Sequence, residues 1–96
     1  METINAKELK ANLSKYFLVD VREPDEFSEG NIPGAKNIPL GVILSGVTLD
    51  ELPKDKEIVL NCRSGRRSAE AQEFLKEKGF KAINLEGGFE AFKTAG

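Results

Sequence analysis

Apolar positions along this chain change their spacing repeatedly, and the changes predict strands alternating with helices. Ile4 reads as the start of a short edge strand. Asn5 then caps a helix whose Ala6, Leu9 and Leu13 share one face, with Glu8 placed for a capping box. Tyr16 to Val21 is an apolar run of the kind that buried strands carry. Pro24 suits a first helical turn, and the short helix it opens stops at Gly30. Asn31 to Gly34 reads as a turn feeding a brief strand, Ala35 to Ile38, which Pro39 ends. Gly41 to Leu52 fits either a short helix or an apolar loop, because Gly46 weakens a helix.

Pro53 to Lys56 is a charged turn, and Glu57 to Asn61 follows as a central strand built on Ile58, Val59 and Leu60. From Arg67 to Lys78 the residues Ala71, Phe74, Leu75 and Lys78 recur at helical spacing, and Gly79 suits the C-cap. Ala82 to Leu85 reads as one more strand. Gly87 and Gly88 break it, and Phe89 to Lys93 forms a short helix that packs Phe89 and Phe92 on the core. Such alternation, without repeats or low-complexity tracts, indicates an α/β fold with a parallel sheet covered by helices.

Composition then narrows the chemistry. The 96 residues fit one domain, which buries about two-thirds of the surface of its unfolded chain. With 40% apolar and 31% charged residues it reads as soluble and globular. A net charge of −2 argues against nucleic-acid binding by general electrostatic attraction. Met1 to Phe17 lacks the apolar core of a signal peptide, and no stretch is long enough to span a membrane, so the expected setting is the cytoplasm. One cysteine excludes an internal disulfide framework, and without histidine there are too few soft ligands for structural zinc. Ser-His-Asp and Cys-His catalysis are excluded too, so an active thiol would need another way to lose its proton. No cofactor is implied.

Cys62 is the candidate. It follows the strand ending at Asn61, at the carboxyl end where open α/β sheets place their sites, and the amides after it open a helix. A helix N-terminus offers unpaired N–H groups and partial positive charge to a thiolate or a bound anion. Gly65 allows backbone angles that turn several amides toward one sulfur. Arg63, Arg66 and Arg67 add three cations, which favour the thiolate over the thiol. Cations there oppose the helix dipole, an arrangement that makes sense if an anion occupies the loop. A lone cysteine by itself reads as a small buried apolar residue, and arginines on a helix turn as a solvated face. Their conjunction with the strand end, Gly65 and the helix start points to function.

Cys62-Arg63-Ser64-Gly65-Arg66-Arg67-Ser68 resembles the active-site loop of rhodanese domains. Leu18 to Phe27 followed by Gly30 to Pro39 resembles that family's first signature, and Leu85-Glu86-Gly87-Gly88-Phe89 its C-terminal Gly-Gly segment. Asn31 stands where the family commonly has His, and Phe92 where it commonly has Trp; both positions look structural. The resemblance implies a rhodanese fold over residues 1–96, a five-stranded mostly parallel sheet with helices on both faces. It further implies sulfur transfer through a Cys62 persulfide, from a small anionic donor to a small thiol, cyanide or thioredoxin-like acceptor. Arg63, Ser64, Gly65, Arg66 and Arg67 would bind the donor. Arg63 is the first choice, since a basic residue after the cysteine accompanies thiosulfate use in the family and Gly there accompanies mercaptopyruvate. Arg66 and Arg67 would assist, or one of them would pair with a carboxylate such as Glu70.

Alternatives remain open at this point. Asp20 and Arg22 form either a structural ion pair or part of the site. Phosphatases on the same fold have Cys, five residues, then Arg; here Ser68 takes that place and the shorter loop ends at Arg67. A sulfur carrier or an inactive adaptor module is the remaining rival.

Overall fold

Strands form where the apolar runs predict them. In a computed structural model that describes residues 2–95, they are β1 (Thr3–Ile4), β2 (Phe17–Asp20), β3 (Lys36–Asn37), β4 (Glu57–Asn61) and β5 (Lys81–Leu85). Helices are α1 (Ala6–Ala11), α2 (Pro24–Glu29), α3 (Leu40–Ser45), α4 (Arg66–Glu77) and α5 (Gly88–Thr94), with 3-10 turns at Leu13–Lys15 and Leu49–Glu51. The sheet order is β1-β5-β4-β2-β3, and every pairing is parallel.

Side chains of the central strands alternate between two cores, as the pleat requires. Val19, Ile58 and Leu60 pack with Ile43 of α3 and with Ala71 and Leu75 of α4 on one face. Leu18, Val59 and Ile83 pack with Ala6 and Leu9 of α1 and Phe92 of α5 on the other. Helices therefore cover both faces. Burying both sides is what lets β2 and β4 be apolar at successive positions.

Several ends are set by local chemistry. Asn5 accepts from the Glu8 amide, 2.8 Å, so the side-chain cap of α1 forms. Pro24 opens α2, and Glu23 and Glu26 make a capping box there. Gly41 to Leu52 resolves into helix plus 3-10 turn: Gly46, at φ +82°, terminates α3 instead of interrupting it. Gly79, at φ +91°, lies one residue beyond the α4 cap at Lys78. Gly88, expected to break the chain before the last helix, begins α5.

The crossover from β2 leads to β3 on one side of the sheet and that from its neighbour β4 leads to β5 on the other, so the two diverge between these strands. Val19 lies beside Leu60 and Asp20 beside Asn61, so the carboxyl ends of β2 and β4 meet at this switch point, where crevices form in parallel sheets.

Candidate active site at the ends of β2 and β4

Cys62 leaves β4 one residue after the ladder ends, and the loop that follows folds back over its own sulfur. Sγ accepts hydrogen bonds from the Gly65 amide at 3.1 Å, the Ser68 amide at 3.4 Å and the Ser68 hydroxyl at 3.4 Å. Gly65 takes φ +106°, a left-handed conformation that other residues rarely adopt, and this turn aims its amide at the sulfur. Cys62 is buried, with 1% of its surface exposed. Burial pushes the thiol up, but the Ser68 hydroxyl and the amides of Ser68, Gly65 and Ser64 outweigh it and bring Cys62 below the ordinary thiol range.

The loop is braced from two sides. On one, the Asn84 amide group donates to the Gly65 carbonyl at 3.1 Å, and Asn84 Oδ1 accepts from the Ser68 hydroxyl at 2.6 Å. On the other, the first amides of α5 seize the backbone beneath the sulfur: Phe89 N–H donates to the Cys62 carbonyl at 2.8 Å and Glu90 N–H to the Arg63 carbonyl at 3.1 Å. Gly88 makes this approach possible, since a Cβ there would lie 2.5 Å from the Cys62 oxygen and 2.6 Å from that of Arg63. This is the physical content of the Gly-Gly segment.

The arginines separate. Arg67 does not pair with Glu70; it binds Glu26 of α2 at 2.8 and 3.0 Å, 41 residues away in sequence. That partner lies on another element, where spacing along one helix gives no hint of it. Hydrogen bonds from Arg67, with help from the Glu23 amide, lower Glu26 to about 2. The Glu26 bonds in turn raise Arg67 above an ordinary arginine despite its burial, with a smaller contribution from the charge of Cys62. Arg63 and Arg66 are exposed and make no salt bridge among the described residues. Arg63 lines a cavity of about 410 Å³ together with Arg22, Lys93, Phe89 and three glutamates, Glu26, Glu29 and Glu90. Ser64 is exposed and contributes its amide.

Asp20 and Arg22 form a closed knot. Arg22 Nη2 meets Asp20 Oδ2 at 2.7 Å, Nε reaches both carboxylate oxygens at 3.0 Å, and the Arg22 amide donates to Oδ1 at 2.9 Å. Asn61 donates to Oδ2 at 3.2 Å, Arg22 also donates to the Gly30 carbonyl at 2.7 Å, and its guanidinium lies 4.5 Å from the centre of the Phe89 ring. Asn31 donates to the Phe27 carbonyl at the end of α2, and Phe92 is buried in the second core, so neither faces the sulfur.

The sequence puts Ser68 in the loop motif without a role for its hydroxyl, and assigns no site role to Asn84 or Glu26. The Ser68 signal was present, since a residue six after Cys62 lies on the first turn of α4 and its side chain can return to the sulfur. Asn84 interrupts the apolar run of β5, and a polar residue inside a buried strand calls for a partner.

Residues 5–95 match the family model of the rhodanese-like domain. The chain is 47% identical over 77 residues to the provisionally named sulfurtransferase YtwF of Bacillus subtilis, covering 80% of this chain and 73% of that one. It is 38% identical over 87 residues to a sulfurtransferase of Allochromatium vinosum, covering 90% and 79% of the two chains. A rhodanese-related protein from Thermoplasma volcanium, known from its crystal structure, has the same fold at a TM-score of 0.91 and 34% identity, covering 100% of this chain and 96% of that one.

Proposed function

Since the chain belongs to the rhodanese-like domain family, we propose that it is a sulfurtransferase domain that carries sulfane sulfur on Cys62. The donor is a small anion such as thiosulfate, and the acceptor is a thiol, cyanide or a thioredoxin-like dithiol. The observation that carries this reading is the convergence of the Gly65 amide, the Ser68 amide and the Ser68 hydroxyl on one sulfur in a chain without histidine. Such donors stabilise negative charge on sulfur without a neighbouring base.

Cys62 thiolate attacks the outer sulfur of thiosulfate. A Cys62 Sγ–S bond forms as the S–S bond of the donor breaks, and sulfite leaves with the bonding electrons. The negative charge then resides on the outer persulfide sulfur, facing the amides from Arg63 to Arg67. An acceptor thiolate or cyanide takes that sulfur and returns Cys62 as the thiolate. Arg63, unpaired among the described residues and beside the 410 Å³ cavity, attracts the donor; Arg66 adds positive potential, and Arg67 ties the loop to α2.

Phosphoryl chemistry fits less well. The loop ends at Arg67, and Ser68, standing where a phosphatase has its clamping Arg, turns its hydroxyl to Sγ and to Asn84. Among the described residues no helix is long and apolar enough to cross a membrane; the proposed setting is the cytoplasm.

Mass spectrometry provides the test. Thiosulfate should add one sulfur atom to Cys62, and cyanide should remove it as thiocyanate. A protein that gains no sulfur from any donor but hydrolyses aryl phosphates would overturn the proposal; one that does neither would be an adaptor.

A further inference from the structure

The Ser68 hydroxyl has one proton and two acceptors within reach, Cys62 Sγ at 3.4 Å and Asn84 Oδ1 at 2.6 Å. Asn84 cannot exchange its oxygen for its nitrogen without loss, because its Nδ2 donates to the Gly65 carbonyl at 3.1 Å. Its oxygen is therefore held toward Ser68. Cys62, Ser68 and Asn84 are 1%, 0% and 9% exposed, so water offers little substitute for a lost partner. Among the described residues Asn84 Oδ1 has no other donor.

We propose that the Ser68 hydroxyl is a two-position rotor, turned to Cys62 Sγ when that atom is anionic and to Asn84 Oδ1 when it is neutral, and that Asn84 is a positioning residue for the charge on Cys62. A neutral thiol is a weak acceptor, so the hydroxyl rests on the amide oxygen. Ionisation breaks the S–H bond, the proton leaves to solvent, and the intact O–H rotates to the thiolate. Asn84 Oδ1 is then left without its donor, and that cost opposes ionisation. The Gly65 and Ser68 amides hold Sγ in either state, so only the hydroxyl changes partner.

The role of this rotor in turnover rests on the sulfur-transfer reading. When the donor sulfur bonds to Sγ, the charge moves to the outer sulfur, Sγ becomes neutral, and the hydroxyl returns to Asn84. When the acceptor removes the outer sulfur, Sγ is again anionic and recovers the hydroxyl. Asn84 thereby keeps Cys62 more nucleophilic than the loop alone would leave it, because nucleophilicity declines as a thiol becomes more acidic.

The other charged groups at this corner stay as they are during rotation. Asp20 with Arg22 at the end of β2, and Glu26 of α2 with Arg67 of α4, are paired with each other. Arg63 in the loop, Arg66 on α4, Glu86 after β5 and Glu90 on α5 are exposed, and none hydrogen-bonds Sγ or the hydroxyl.

With one cysteine in the chain, thiolate absorbance and alkylation report Cys62 alone. Asn84→Ala removes the competing acceptor, so the midpoint should fall and the thiolate fraction below it should rise roughly threefold to tenfold. The alkylation plateau should fall, while discharge of a preloaded persulfide should quicken, since a more acidic thiol leaves faster. Asn84→Asp keeps an acceptor and adds charge, so its midpoint should rise. Both variants lose the bond to Gly65, so a purely structural role would move the two midpoints in the same direction. In a Ser68→Ala background Asn84→Ala should shift nothing. A midpoint that stays or rises in Asn84→Ala, or falls equally without the Ser68 hydroxyl, would overturn the rotor. If Asn84→Ala does not fold, Asn84→Leu removes the acceptor while filling the space, with the same expected shift. Coupled shifts in a protein that never gains sulfur would support the rotor and discard sulfur transfer.

Discussion

Two buried polar clusters lie side by side at the carboxyl ends of β2 and β4, and they differ in what they leave unmatched. Around Asp20 each carboxylate oxygen has donors and the facing guanidinium has acceptors, so opposite charges cancel within the fold. Around Cys62 the donors converge on a sulfur with no cation bonded to it. The first cluster is complete as it stands. The second has donors to spare for negative charge on sulfur, as the proposed sulfur transfer requires. Burial of polar groups thus separates structure from chemistry only when their partners are counted.

The sharpest way to break this comparison is Cys62→Ser. Sulfur uptake should vanish from the mass spectrum, while stability changes by less than about 1 kcal/mol. Asp20→Ala should do the reverse: it leaves Arg22 buried and uncompensated, costing about 3–5 kcal/mol in urea denaturation. Protein that remains folded should still alkylate with a midpoint close to that of the wild type. A large activity loss in Asp20→Ala at unchanged stability would erase the distinction between the clusters.

Gly88→Ala should affect both properties, by about 2 kcal/mol in stability and with impaired sulfur uptake, because its methyl group displaces α5 from the carbonyls of Cys62 and Arg63. Arg63→Ala should raise the KM for thiosulfate about tenfold, equivalent to roughly 1.4 kcal/mol, and leave alkylation by a neutral reagent unchanged. Equal effects in both assays would make Arg63 a general stabiliser of the thiolate.

Glu26→Gln should be mildest, below about 1 kcal/mol, because the pair with Arg67 is partly exposed. The carboxylate is held lower when folded than when unfolded. Its contribution is therefore present above the ordinary value of 4.5 and is lost as pH falls through about 2. For Cys62 the same lowering means that sulfur uptake should extend below the pH at which an ordinary thiol ionises, and should decline as acid protonates the sulfur.

Strands and the two-faced sheet were legible in the sequence because β-strand burial leaves runs such as Ile58-Val59-Leu60, and the position of Cys62 beyond that strand followed from them. Gly41 to Leu52 was ambiguous since the decisive event, Gly46 in a left-handed cap, looks the same in sequence as a helix-weakening glycine. At the site, the three arginines stand out in the sequence because charge is conspicuous in a string of residues. Arg67 is instead held by Glu26, and the groups that lower Cys62 are a hydroxyl and amides, whose direction emerges only once Gly65 has turned. Asn84 illustrates the remaining gap: its partner choice depends on β5 lying beside β4, a long-range pairing that local spacing does not encode.

The amides of α5 that grip Cys62 and Arg63 tie the sulfur-bearing loop to a helix well downstream in the chain. Without α5 in place the two carbonyls lack their native donors, and the loop is braced by Asn84 alone. Reactivity at Cys62 should therefore act as a gauge of whether the last helix is seated.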